Sequence, residues 1–425
     1  MAKGIPDRLE LLEVVHSFQR PSNYKDTMCG GQVGGIQMSE ARPVASYSWA
    51  DDVPFPTIIV PGAPRTWTKY PPRKVKPKYG KQYRDQNAAR MSTVNKSPLM
   101  PIFAAAEAMG NLNELKGHDI ITDRNGLRKL FRWAMGTGNG NPFRIDVQLA
   151  GKTCLFTRRD PTNVERSFPG SGREYGFAYE AAATVSSDRS TSHHRIISYV
   201  SRIGSMELQP ADGVQRLGDI TLLVRCEVDA CLGTKPSIPA KASTSTPTSG
   251  RPLFSSVAQK GLPTGQQSSS KMRMHQLSRK PAGRFSAGLT VRLSTSEVLV
   301  PQHDLIEIKT YKTKVYWTDA YPQLRLGQTQ LVYTVQHTEE HFAVPEKTNV
   351  GDENNSAMMK NAEWFDENVV MLHAILEQIL AVVREQGDGA ALSLVQENGQ
   401  LVLMKRKALK NRVVEDAVLS FLQEE

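Results

Sequence analysis

Cysteine is scarce in this 425-residue chain. Its four thiols, Cys29, Cys154, Cys226 and Cys231, are scattered, which argues against a disulfide framework and for a reducing compartment. Grouping Cys226 and Cys231 with His193 and His194 gives no familiar zinc spacing, so buried or incidental thiols are the better reading. Long apolar runs are missing too: nothing approaches the ~18 residues of a membrane span. The first residues, Met1 to Arg8, carry no apolar signal-peptide core. A membrane partner is therefore not expected; a soluble, intracellular protein is.

One further absence decides how the charge is read. The formal net charge is +10, which invites a nucleic-acid interpretation. Between Thr234 and Phe285, however, there are nine Lys or Arg and no Asp or Glu. About +1 is left for everything else. Any basic groove in the folded part must be local.

That same stretch is rich in Ser, Thr, Pro, Gly and Gln, with almost no periodic apolar content. We expect a disordered basic insert at about 232–285 within a single domain spanning 45–425. Residues 1–44 read as a flexible arm with a short helix near Arg8 to Phe18. Tyr70 to Arg84 interleaves Arg and Lys with tyrosines; it could hold an RNA backbone, but a solvated extended loop is slightly favoured. Helices are expected over Pro98 to Leu115, around Asn125 to Met135, and over Trp364 to Arg384, where Val369, Leu372, Leu376, Ile379 and Val383 fall at helical spacing. Leu392 to Leu403 reads as a hairpin turning at Asn398-Gly399. Strands cluster rather than alternate with helices, which predicts an α+β fold of mixed β-sheets flanked by helices.

Two short strands carry the chemistry. Leu222 to Asp229 is an apolar run ending in Glu227-Val228-Asp229, and Asp304 to Thr310 contains Glu307-Ile308-Lys309. Side chains alternate faces along a strand, so Glu227 shares a face with Asp229, and Glu307 with Lys309, while Val228 and Ile308 face a core. Paired, the strands would bring three carboxylates and one ammonium together. Carboxylates that close need a cation among them, and hard divalent ions prefer oxygen ligands. Glu180, after Gly176-Phe177-Ala178-Tyr179, is a third acidic position, read here on a strand.

These three segments resemble the ordered Gly-φ-x-φ-Glu, Glu-φ-Asp and Glu-φ-Lys motifs (φ apolar, x any residue) of the DXO-type decapping exoribonucleases, and Ser48-Trp49 with Pro56 to Gly62, and Tyr83 to Arg90, resemble fungal-type branches of that family. The family's upstream arginine would fall at Arg124 and its downstream glutamine at Gln328. The resemblance implies a PD-(D/E)xK-nuclease-like core and a metal-dependent hydrolase of RNA 5′ ends that are triphosphorylated, incompletely capped or NAD-capped, with possible 5′-3′ digestion. It implies Glu180, Glu227, Asp229, Glu307 and the Ile308 carbonyl as the Mg²⁺ or Mn²⁺ site, with Glu227, Asp229, Glu307 and Lys309 catalytic. Arg124, Glu180, Lys309 and Gln328 would bind substrate. It also implies a nuclear protein, with a cytoplasmic one as the alternative, and a 5′-3′ exoribonuclease as a partner. The competing reading keeps the fold as a non-catalytic RNA-holding or stabilising partner of such an exoribonuclease. Without the resemblance, Lys309 reads as a salt bridge to Glu307 or Asp229.

The remaining candidates are plainer. His337 and His341 flank Thr338-Glu339-Glu340 without the zinc-protease order, and a surface helix turn is the better reading. Lys405-Arg406-Lys407 could be a nuclear signal or an RNA contact; a solvated helix entry fits at least as well.

Overall fold

The computed structural model describes residues 4–21, 36–38, 41–91, 97–137, 141–171, 174–186, 191–205, 219–233, 278–279, 285, 288–294, 299–407 and 416–424. Most of the basic insert, and the Gly30 to Gly35 run, lie outside them. The chain is α+β, with two large sheets that share a joint.

The larger sheet has thirteen strands among the described residues. From the Leu11–Phe18 edge it passes through the Gln400–Arg406 and Leu392–Glu397 hairpin, then Phe143–Ala150 and Thr153–Arg159. It reaches its centre at Ile120–Asp123 and Ile220–Val228 and continues through Thr191–Ser205 and Arg42–Ala50. The two central strands run parallel, Leu222 beside Ile120. One face of the Ile220–Val228 strand, Leu222, Val224, Cys226 and Val228, is apolar, and the other carries Leu223 with Arg225 and Glu227. Leu222, Val224, Cys226 and Val228 pack under the Arg124–Ala134 and Ser356–Glu385 helices, and Leu223 packs toward the Met100–Met109 helix.

The second sheet runs Thr184–Val185, Thr66–Trp67, Ala230–Cys231, Leu305–Tyr311, Leu331–Thr338. Its Leu305–Tyr311 and Leu331–Thr338 strands are parallel, joined by the Trp317–Leu326 helix as crossover.

Several local expectations are met. The helix expected over Trp364 to Arg384 is the core of Ser356–Glu385, whose start is capped by the Asn355 side chain accepting the Met358 N–H. Asn398 and Gly399 both take positive φ (52° and 83°), as a two-residue hairpin turn requires.

Others are corrected. Residues Leu11–Phe18 form a strand on Gln400–Arg406, not a helix; the hairpin's edge offers unpaired backbone groups that this segment fills. His337 and His341 lie on a tight β-connection, Leu331–Thr338 to His341–Phe342, with Glu339 at φ 51°, rather than on a helix turn. His337 is buried and stacks on Phe342. Lys405 and Arg406 end a strand: Lys405 pairs with Glu13, and Arg406 is buried beside the Asp146 cluster, so the basic run is no solvated helix entry. The Tyr70 to Arg84 stretch is tied down by backbone bonds from Val75 to Glu340 and from Lys78 to Glu174, although Tyr70 and Tyr79 stay exposed. Among the described residues, no helix is long and apolar enough to cross a membrane.

Candidate active site

The site forms where one strand changes sheets. Ile220–Val228 belongs to the larger sheet, and Ala230–Cys231 joins the smaller one, with Ala230 opposite Ile306. Asp229 is the residue between. Its carboxylate is nearly buried and accepts the Ile308 backbone N–H at 2.8 Å. This contact locks the Glu227-Val228-Asp229 segment onto Glu307-Ile308-Lys309, the juxtaposition that the two sequence motifs required.

Glu307 is the hub. It is 3% exposed, and both carboxylate oxygens are engaged. Oε1 accepts Lys309 Nζ at 2.7 Å and Gln323 Nε2 at 2.6 Å, and Oε2 accepts an Arg124 guanidinium N–H at 3.1 Å. Lys309 reaches it because residues i and i+2 share a strand face. Burial pushes the Glu307 carboxyl up, but the Lys309 and Arg124 charges outweigh it and pull it down to about 2. Glu307 is therefore a carboxylate at any physiological pH.

Arg124 opens the Arg124–Ala134 helix and crosses to Glu307 over Gly327. A Cβ at Gly327 would stand 2.8 Å from an Arg124 guanidinium nitrogen and 2.9 Å from its Cδ. Only a glycine leaves this crossing open.

Glu180 lies on the Glu174–Ala182 helix, which corrects the strand expected there. The helix explains the Gly-φ-x-φ-Glu spacing better, since positions i and i+4 share one helix face. Gly176 brings that face against the Leu305–Tyr311 strand: a Cβ there would be 3.4 Å from Thr310 Oγ1. Arg65 holds the helix end, donating to the Ala181 and Thr184 carbonyls and to Thr184 Oγ1. One Glu180 carboxylate oxygen is fully buried.

Glu227, half-buried, faces a cavity of about 200 Å³ whose lining includes Arg84, Arg124, Arg128 and Gln323. Cys226 also lines it, but burial pushes its thiol up to about 11, so it is no nucleophile at neutral pH.

Gln328 holds the left-handed turn after the Trp317–Leu326 helix, its carbonyl accepting the Gln302 amide. The glutamine that bonds to Glu307 and Lys309 is Gln323, which the sequence reading passed over. Arg128, four residues after Arg124 and so on the same helix face, was also passed over; that spacing was available as a signal. Asp123 and Arg225 form a buried bidentate pair (2.6 and 3.0 Å) that fixes the first turn of the Arg124 helix to the Glu227 strand. Arg225 also donates to Tyr47 and to the Pro98 carbonyl.

In donor chemistry, Glu227, Asp229 and Glu307 suit a hard divalent cation. In the arrangement seen, Glu307 is neutralised by Lys309 and Arg124, and among the described residues no group of three or more His, Cys, Asp or Glu is poised to hold a metal ion.

The fold has counterparts of known structure. S. pombe Rai1 matches over 90% of this chain and 98% of its own, with a TM-score of 0.50 at 11% identity. Mutant S. pombe Rai1 in complex with 3′-FADP matches over 92% and 99%, with a TM-score of 0.52 at 10% identity. Scheffersomyces stipitis Rai1 in complex with (3′-NADP)⁺ and calcium ion matches over 92% and 96%, with a TM-score of 0.52 at 12% identity. At such identities the likeness establishes the fold, which is the one the motif resemblance implied. By sequence, no curated protein matches. Residues 13–418 match the family described as "Domain of unknown function (DUF8563)", and the chain belongs to that family.

Proposed function

We propose that this chain is a divalent-metal-dependent hydrolase of RNA 5′ ends, removing a triphosphate, an incomplete cap or an NAD-type cap. The observation that carries the reading is the joint itself: Asp229 bound to the Ile308 N–H, with Glu307 and Lys309 on either side of Ile308 and Glu227 one strand turn away. Carboxylates and a lysine on abutting strands are the makings of a PD-(D/E)xK-like core. The Rai1 structures with 3′-FADP and with (3′-NADP)⁺ and calcium lend support from the same fold, since those ligands carry a phosphoanhydride and the calcium is a hard cation.

Asp229 and Glu307 would hold the Mg²⁺ or Mn²⁺ ion, with Glu180, Glu227 and the Ile308 carbonyl as further donors; the ion supplies an activated water and offsets charge on the phosphoryl group. Arg124, with its planar fork, would clamp a phosphate oxygen at the reacting group. Lys309, its ammonium directed by Glu307 and Gln323, would donate to the attacking water or the scissile phosphate. Glu227 would orient the water and take its proton. On a triphosphate end, water adds to the α-phosphorus, the α–β bridge breaks, and pyrophosphate leaves with a 5′-monophosphate RNA remaining. Subsequent 5′-3′ digestion, a nuclear setting and a 5′-3′ exoribonuclease partner belong to the same proposal.

A second reading has one observation in its favour. Because Glu307 is already neutralised by protein cations, the fold could hold RNA without chemistry, as the stabilising partner of a processive exoribonuclease. Incubation of the purified chain with triphosphorylated, cap-bearing and NAD-bearing RNA plus Mn²⁺ separates the two. Release of pyrophosphate, cap or NAD supports the hydrolase. Normal RNA binding with no release supports the second reading.

A further inference from the structure

The cavity beside Glu227 contains more positive charge than the motif residues account for. Apart from Glu227, which lines it, the carboxylates near it are paired. Asp123 pairs with Arg225, Asp85 with Arg158, Asp160 with Arg158 and Lys129, and Asp319 with Arg132. Glu307 is taken by Arg124 and Lys309. Two arginines of the lining are left over, Arg128 and Arg84.

Arg128 donates only to neutral amide oxygens, Gln323 Oε1 at 2.9 Å and Asn125 Oδ1 at 3.1 Å. Those bonds aim its guanidinium without neutralising it. Among the described residues, neither Arg128 nor Arg84 has a carboxylate within ion-pair reach. Burial pulls the Arg128 guanidinium below its ordinary range, outweighing the more distant Asp319 and Glu307 charges. Such a group persists where an anionic ligand completes it. Asp123, at the N-cap of the Arg124–Ala134 helix, makes no side-chain cap because its carboxylate is bound to Arg225, so the helix's positive end adds to the same field.

We propose that Arg128 and Arg84 form a second phosphate subsite beside the reacting phosphate held by Arg124. Through it the chain would select ends carrying a phosphate chain over 5′-monophosphate and 5′-hydroxyl ends. The subsite rests on the hydrolase reading for its position relative to the scissile bond, but its affinity for phosphate does not. Gln323 links the two halves, accepting from both Arg128 and Lys309 while donating to Glu307. Occupancy of the subsite is thereby coupled to the orientation of the catalytic lysine.

The test is titration of inorganic pyrophosphate into the full chain, in EDTA, by calorimetry. Charge-assisted hydrogen bonds of this kind should make Arg128→Gln and Arg84→Gln weaken binding about tenfold or more, with Arg128→Lys falling between. Arg132→Gln, on the same helix but paired with Asp319, should bind as wild type. In the RNA assay, Arg128→Gln should lower the ratio of kcat/KM for triphosphorylated over monophosphorylated ends by about tenfold. Wild-type pyrophosphate affinity in Arg128→Gln overturns the subsite. If that variant does not fold, wild-type affinity in Arg84→Gln overturns it equally. Arginine-dependent pyrophosphate binding without hydrolysis of any RNA end would sustain the subsite and remove the hydrolase reading instead.

Discussion

The Asp229 carboxylate accepts the Ile308 backbone N–H at 2.8 Å, joining the residue just past one sheet's central strand to the middle of another sheet's strand. One oxygen of Asp229 thus has a structural task. The charge of the carboxylate is what the proposed chemistry needs.

Asp229→Asn separates those roles. The amide oxygen can still accept from Ile308, so thermal unfolding should change by less than about 1 kcal/mol. Hydrolysis of RNA ends should fall by about 100-fold or more, because a neutral amide is a poor partner for a divalent ion. Parallel melting and rate measurements check both halves.

Glu307→Ala should cost about 3 kcal/mol, since it leaves Arg124 and Lys309 partly buried without their counter-charge. The pH dependence has a defined sign. The folded carboxyl is depressed to about 2, below the ~4.3 of an unfolded glutamate, so its contribution is complete above that unfolded value. It is lost as pH falls toward 2. Urea unfolding of wild type and variant should therefore differ most near neutrality and converge between about pH 4 and 2.

Gly327→Ala tests the crossing of Arg124. Gly327 has φ −94°, which alanine adopts freely, so any effect is steric. The added methyl would lie 2.8 Å from the Arg124 guanidinium and displace it from Glu307. Stability should drop by about 1–3 kcal/mol, as overpacking does. Hydrolysis should suffer more than the stability change explains, because Arg124 is moved; kcat/KM measured well below the melting temperature decides it.

Much of this site was legible in the sequence because strand alternation is strictly periodic. Glu227 with Asp229, and Glu307 with Lys309, had to share faces once the strands were recognised, and Val228 and Ile308 are buried as that reading required. The Glu180 segment misled because Gly-Phe-Ala-Tyr is rich in strand formers; its packing against the Leu305–Tyr311 strand overrides that propensity and makes it helical. Gln323 and Arg128 were hidden for another reason. Gln323 acts through contacts on another element, which no local pattern marks; Arg128 shares the Arg124 face at i, i+4, but only its contact with Gln323 across helices shows what that face meets. The Leu11–Phe18 strand was likewise unreadable, because its partner lies at the other end of the chain.

The central claim is that the joint at Asp229 does chemistry on RNA ends. Glu227→Ala, Asp229→Ala removes both carboxylates of that strand, so the most direct measurement compares its release of pyrophosphate from 5′-triphosphorylated RNA, in Mn²⁺, with wild type. A metal-dependent release by wild type, lost in a double variant that still folds and binds RNA, is the predicted result. Equal release by the two proteins would place the chemistry elsewhere.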